Sequence, residues 1–253
     1  MFSVLVLSCL WLWETARPVF GFKEGRWLHA GRNLVIAVCN LVILSLTFSV
    51  AIVSVANWTQ AKGWGVLNLA EVNQGIRLAL AVLLLDAWMY VWHRANHVIP
   101  FLWRFHRMHH SDPHMDVTTA TRFHLGEQIY SATLRLGLIP LLGLQVWHLV
   151  LYDTLVISVI QFHHADISLG RFDRWLRLIV VTPDIHKIHH SRVLHETNSN
   201  YSTVFSWWDR LALSFQMRPN PATVQFGLPD YDNPRWQTLT GMWKTPFSDP
   251  NQP

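Results

Sequence analysis

The sequence predicts an all-α integral membrane protein: a bundle of about four spanning helices in two hairpins, capped on the cytoplasmic side by histidine-rich helices. Three observations predict it. Charged residues make up only 14% of the 253 residues, well below the roughly 25% of ordinary soluble domains. The chain carries 14 Trp and 13 Phe, the residues of membrane interfacial belts. Finally, of 15 histidines all but His29 follow residue 92, mostly in short clusters beside long apolar runs.

The elements follow in order. The first apolar run, 2–13, is short of the about 20 residues a span needs. It also lacks the basic start and small-residue cleavage site of a signal peptide, so it is a membrane helix or an interfacial anchor. The second run, 34–58, is long enough to cross; the third, 66–92, carries Asp86 as its one deep charge. Arg17, Lys23, Arg26 and Arg32 stand between the first two runs, against Lys62 alone between the second and third. That asymmetry puts the 17–32 loop in the cytoplasm, so the third run returns there near Trp92. The fourth run, 132–162, is too long for one span and has Pro140 and Gly143 at its middle. It reads as a tight hairpin turning at 141–145, which returns His163 and His164 to the face carrying His93. Arg135 and Asp153 are its charges. From Pro219 the chain is rich in Pro, Asp and Asn and reads as loop or disorder. The organisation is therefore 1–92 as N-terminal membrane helices, 93–218 as the histidine region including the second hairpin, and 219–253 as a polar tail.

The formal charge of +4 and pI near 9.3 come from Lys and Arg spread over loops, not from one basic stripe, which argues against a nucleic-acid partner. Cys9 and Cys39 both lie inside apolar runs, so neither a disulfide framework nor a cysteine zinc site is available. The histidines carry the chemistry. His93 and His97 are an i, i+4 pair on one helix face, and His106, His109 and His110 repeat the spacing of His186, His189 and His190. These eight imidazoles can give four nitrogens to each of two metals, and imidazole suits Fe, Zn, Cu and Ni alike. Asp86 falls seven residues before His93, on the face shared by Tyr90 and His97. An intramembrane carboxylate is functional by default, and Asp86 is expected to accept a hydrogen bond from a ligand imidazole and fix its tautomer. Glu127, Asp166, Asp184 and Asp209 are candidates for the same task.

The ordered motifs are Asp86-x3-Tyr90-x2-His93-Arg-x2-His97, His106-x2-His109-His110-Ser111 and Thr119-x-Thr121-Arg122-x-His124-x2-Glu127. His163-His164-Ala-Asp166, Thr182-Pro183-x2-His186-x2-His189-His190-Ser191, Asn200-Tyr201 and Trp208-Asp209-Arg210 follow. Over roughly 86–215 the chain resembles the sterol desaturase branch of the fatty acid hydroxylase superfamily. It departs from that pattern at Ser202, where the family has glycine, and at Ala212-Leu213-Ser214, in place of Phe-Gly-Thr. The resemblance implies a four-helix membrane enzyme whose cytoplasmic cap holds two iron ions and uses O2 to hydroxylate or desaturate a lipid carbon chain. It implies His93, His97, His106, His109, His110, His186, His189 and His190 as ligands, with His164 as a ninth and His163 as its alternative. His124 is assigned to the metal surroundings or to substrate, whereas His114, His148 and His195 are assigned to packing.

Such a reaction needs two external electrons, and the chain has no haem motif, flavin fingerprint or cysteine cluster to deliver them. A separate cytochrome b5-, ferredoxin- or flavin reductase-type partner is therefore expected, docking at the basic segment of Arg94, Arg104 and Arg107. The substrate, a fatty acyl, sterol, alkylglycerol or other polar lipid, enters sideways from the bilayer. The alternative is a membrane zinc hydrolase or a metal transporter. The first lacks an HExxH box, and the second would carry its ligands at mid-membrane.

Overall fold

The computed structural model describes residues 2–21, 25–69 and 71–248; Lys23 and tail residues 249–253 lie outside them. The chain is helical, with only two isolated bridges, Val180 to Phe205 and Ser191 to Phe226, among the described residues. Six helices come first: α1 (Phe2–Ala16), α2 (Arg26–Lys62), α3 (Gln74–Val98), α4 (Pro100–His110), α5 (Leu125–Leu142) and α6 (Val146–His164). Short helices follow: α7 (Asp173–Leu176), α8 (Pro183–His189), α9 (Leu194–Thr197), α10 (Trp207–Leu211) and α11 (Leu239–Lys244).

Among the described residues three helices, against the four spans expected, are long and apolar enough to cross a membrane: α2 with the turn after it, α3 and α6. Helix α5 carries Glu127 and Arg135 within its 18 residues, and α1 is apolar but shorter. Helix α2 has 37 residues, roughly 55 Å at 1.5 Å per residue, well beyond the about 30 Å of a bilayer core. Arg26 and Arg32, expected in a loop, therefore form its first turns. There Arg26 pairs with Glu14 at 2.8 Å, His29 meets Asp112 at 2.9 Å, and Arg32 donates to the Gln237 carbonyl at 3.0 Å. Helix α3 starts at Gln74 rather than 66, because the Asn73 side chain caps it by accepting from the Ile76 N–H.

The break between α3 and α4 follows from Pro100. A residue before proline is driven out of the helical region; Ile99 is extended, with φ −94° and ψ 112°. Proline then starts α4, whose missing N–H is no loss at a first helical position. The expected hairpin of 132–162 is realised as α5 and α6, with Gly143 closing α5 in the left-handed conformation at φ 78°. Glycine is required at this far end: a Cβ on Gly65 would sit 2.0 Å from the Gly143 nitrogen. The adjoining core packs Leu138, Ile139, Leu142 and Leu149 against Ala56, Ala81 and Leu85.

Of the two readings of the tail, loop or disorder, residues 219–248 take the first, as loop and short helices packed on the histidine end. Met242 is fully buried and Trp236 nearly so, and Arg122 donates to Gln237 Oε1 at 2.7 Å. Arg104 donates to the Pro246 carbonyl at 2.8 Å and Arg107 to that of Ser248 at 2.9 Å. Composition hid this order, because a few widely spaced apolar anchors and Asn N-caps hold the tail without any periodic stripe. Two of the three cations expected to dock an electron carrier thus hold the chain's own tail, and the third, Arg94, donates to Tyr90 Oη at 3.2 Å.

The two departures from the family pattern keep their turns. Ser202 is buried and its hydroxyl accepts from the Asp209 N–H at 3.1 Å. Leu213, at the family's glycine position, adopts φ 57° with its side chain 93% exposed. A non-glycine residue there costs about 1–2 kcal/mol, and no packing offsets it. Leu213→Gly is expected to raise stability by about 0.5–1 kcal/mol after the added unfolded-state entropy, read as a higher thermal midpoint in detergent. A lower midpoint would mean that the leucine side chain holds the turn.

Candidate metal centre

Helices α3, α4, α6 and α8 deliver their histidines to one place. In the first group His93, His97, His106, His110 and His189 each offer a nitrogen, all within 4.8 Å of one another; His109, His164, His186 and His190 form a second such group. The boxes interleave. One face of α4 sends His106 and His110 to the first group while His109 points to the second, and α8 does the reverse, sending His186 and His190 to the second and His189 to the first. The i, i+4 residues share a helix face and the intervening one is turned away from it. The groups adjoin, with the His110 and His190 rings stacked at 4.4 Å. Of the neighbouring pair, His164 belongs to the second group, and His163 packs over the His186 ring at 3.9 Å.

Backbone carbonyls fix the tautomers. His93 Nδ1 donates to the Tyr201 carbonyl at 2.9 Å and His189 Nδ1 to that of Ser199 at 2.7 Å. A carbonyl only accepts, so both protons sit on Nδ1 and both Nε2 atoms are bare lone pairs. Those two Nε2 atoms face each other at 3.0 Å, a repulsive arrangement that a cation between them relieves. Further nitrogens are buried without a hydrogen-bond partner: both of His97, and Nε2 of His106 and of His110. Burial first, then the neighbouring imidazoles, holds His109, His110, His186 and His190 well below the usual histidine range. Burial likewise pushes His189 down to about 3. These five rings are neutral, the form that binds metal. An all-imidazole, buried, neutral donor set of this kind fits two transition-metal cations.

The carboxylates divide the supporting work differently from the sequence expectation. Glu127, one of the further candidates for the task, accepts from His106 Nδ1 at 3.0 Å, the orienting contact expected first of Asp86. Asp86 is fully buried but meets no histidine. It accepts from Tyr152 Oη at 3.0 Å, the Val204 N–H at 3.2 Å, the Phe205 N–H at 3.0 Å and Trp208 Nε1 at 2.9 Å. Asp86 shares a helix face with His93 but stands seven residues away, roughly 10 Å along the axis, which puts it out of reach of the imidazoles. Asp209 accepts from the Tyr201 and Ser202 N–H groups at 2.7 and 2.9 Å, so the two aspartates pin the segment whose Tyr201 carbonyl orients His93. Asp166 accepts N–H bonds from 19–21, and Asp184 pairs with Lys187. His124, expected near the reaction, lies in neither group: it caps α5, with Nδ1 accepting from the Gly126 N–H and Nε2 donating to the Trp243 carbonyl. His148 caps α6 at the opposite end of the bundle by accepting from the Gln145 N–H. Sequence gave no sign of the Tyr201 and Ser199 carbonyls, since a backbone atom leaves no residue signature.

A cavity of about 410 Å³ leads to the histidines. Its walls are mostly apolar, from Leu41 and Leu44 of α2, Leu85, Trp88 and Met89 of α3 and Ile157 of α6, and it ends on His93, His106, His109, His164 and His186.

A family model described as fatty acid hydroxylase matches residues 78–214. Ornithine lipid hydroxylase OlsE of Rhizobium tropici is 33% identical over 156 residues, 60% of this chain and 45% of that protein. Alkylglycerol monooxygenase of Danio rerio is 30% identical over 151 residues, 59% of this chain and 32% of that protein. Cholesterol 25-hydroxylase of Rattus norvegicus is 22% identical over 182 residues, 66% of this chain and 56% of that protein. The chain thus spans about a third to just over half the length of these relatives. No solved structure matches it significantly.

Two substitutions separate orientation from bracing. Glu127→Gln keeps the shape but weakens the bond to His106, so metal affinity is expected to fall about 10–100-fold with the fold intact; unchanged metal titration would refute the orienting role. Asp86→Asn turns an amide donor toward four donors, so it should lower stability by about 1–3 kcal/mol even in metal-free protein. An equal thermal midpoint for that variant and the parent would show that the four bonds are dispensable.

Proposed function

The chain belongs to the fatty acid hydroxylase family, and on that premise we propose that it is a membrane-bound di-iron oxygenase. It uses O2 and two electrons to hydroxylate, or desaturate, the carbon chain of a membrane lipid. The single observation carrying this reading is the pair of imidazole groups, with His93 and His189 lone pairs opposed at 3.0 Å, at the end of a cavity running into the apolar bundle. His93, His97, His106, His110 and His189 would hold one iron, and His109, His164, His186 and His190 the other. The two irons together would activate dioxygen, a redox task for which no side chain is equipped and which zinc does not perform.

The chain's own groups supply the rest. The Tyr201 and Ser199 carbonyls and Glu127 hold the imidazoles of His93, His189 and His106 in the tautomer that presents Nε2 inward. The leucine and tryptophan walls exclude water and lay an acyl or ring system along the bundle axis, which orients one C–H bond toward the histidines. The relatives' names point to lipid hydroxylation on ornithine lipids, alkylglycerols and cholesterol, so a lipid with a polar group is the proposed substrate class. The histidine end carries Arg26, Arg32, Arg104 and Arg107, against Lys62 and Arg77 at the other, which supports a cytoplasmic cap. Electrons would come from a separate carrier protein.

Metal analysis of protein purified without added metal should give about two irons per chain, as for a dinuclear site. His109→Ala should empty one position and abolish product formation from the lipid mixture of the host membrane, followed by mass spectrometry. Stoichiometric zinc with hydrolytic activity would replace this reading with that of a hydrolase.

A further inference from the structure

The wall of the substrate cavity holds one charged pair away from the histidines. Arg135 of α5 and Asp153 of α6 both line it, and Arg135 Nη2 donates to Asp153 Oδ1 at 2.7 Å. Asp153 stands eleven residues before His164 on the same helix, which puts the pair roughly 16 Å from the histidines along the axis, about midway down the bundle. An interhelical staple alone does not require this arrangement, because an apolar pair of similar volume does the same work without desolvating two charges. Arg135 Nε is moreover buried with no hydrogen-bond partner, an expensive state for a guanidinium N–H.

Resting on the oxygenase reading, we propose that Arg135 and Asp153 form the polar-group subsite of the cavity, receiving the hydroxyl of an amphiphile whose far, apolar end reaches the histidines. The pair offers a donor and an acceptor side by side with no net charge. A hydroxyl satisfies both, accepting from the accessible part of the Arg135 guanidinium, whose side chain is 25% exposed, and donating to the outer oxygen of Asp153, whose side chain is 48% exposed. A carboxylate headgroup loses to Asp153 what it gains from Arg135, and an ammonium the reverse, so a single charge brings no advantage here. The site therefore takes a hydroxyl, which donates and accepts at once, and fixes the oxidised carbon by its distance from that hydroxyl. A lipid bound headgroup-first, with its polar end at the histidines, would instead lay hydrocarbon against the charges.

The test uses the full chain in lipid nanodiscs under anaerobic conditions, so that labelling is independent of turnover, with hexadecanol bearing a diazirine at its terminal carbon. Photolysis is expected to label the histidine end, at Trp92, Phe123 and Ile160. Unlabelled hexadecanol should compete about 10-fold better than hexadecane, the value of one net hydrogen bond. Arg135→Leu combined with Asp153→Leu should remove that preference. Arg135→Lys, which keeps the ion pair and hence any stapling but has no guanidinium fork to donate to Asp153 and the hydroxyl together, should lose several-fold of it. Labelling concentrated at Leu85 and Leu138 would reverse the orientation and overturn the proposal, and an unchanged preference in both variants would reduce the pair to a staple. Correct labelling without iron or product would count against the oxygenase reading alone.

Discussion

The structure depends on holding His93 and His189 with their Nε2 lone pairs face to face at 3.0 Å. That contact is unfavourable for two neutral imidazoles, and it persists because the Tyr201 and Ser199 carbonyls fix each ring's proton on the far nitrogen. Much of the rest serves this constraint. The Pro100 break turns α4 so that its box meets that of α3, and α8 brings its own box against both. The rings interleave so that each group takes an i, i+4 pair from one helix and the odd histidine from the other.

Bracing of the site runs through carboxylates that never touch a metal-facing nitrogen. Asp86 and Asp209 collect seven hydrogen bonds between them from the segment 201–214 and Tyr152. A buried carboxylate needs several donors to be tolerated, and here the need is met by the loop that carries the Tyr201 carbonyl. The position of one ring in the centre thus depends on a charge about two helical turns deeper in the bundle. On the opposite side Asp112, in contact with His29 and with Arg122 nearby, ties the end of α4 to the first turns of α2. Although burial alone would raise its pKa, the charges of His29 and Arg122 hold this carboxyl well below the usual range.

The same helices that bring the histidines together leave the cavity between them. At the far end the backbones approach so closely that a Cβ on Gly65 would sit 2.0 Å from the Gly143 nitrogen, whereas Trp88, Met89 and Trp92 line the cavity. On its wall Arg135 and Asp153 pair across α5 and α6.

The sequence by itself determined the helical class, the long apolar helices, the hairpin with Gly143 at its turn, and the eight box histidines as one chemical group. Each of these is written in local spacing: apolar run length, a glycine between runs, and imidazoles at i, i+3 and i+4. Local spacing also led to errors. It put Asp86 beside a histidine because they share a helix face, and it left loop and disorder both open for the tail because its anchors have no period. Only the tertiary structure decided which histidine joins which group, that His164 rather than His163 faces the second, that Glu127 and two backbone carbonyls orient the rings, and that Arg135 and Asp153 meet across one cavity. These are contacts between residues far apart in the chain and partly between backbone atoms, and neither periodicity nor composition records which distant partner a side chain will meet.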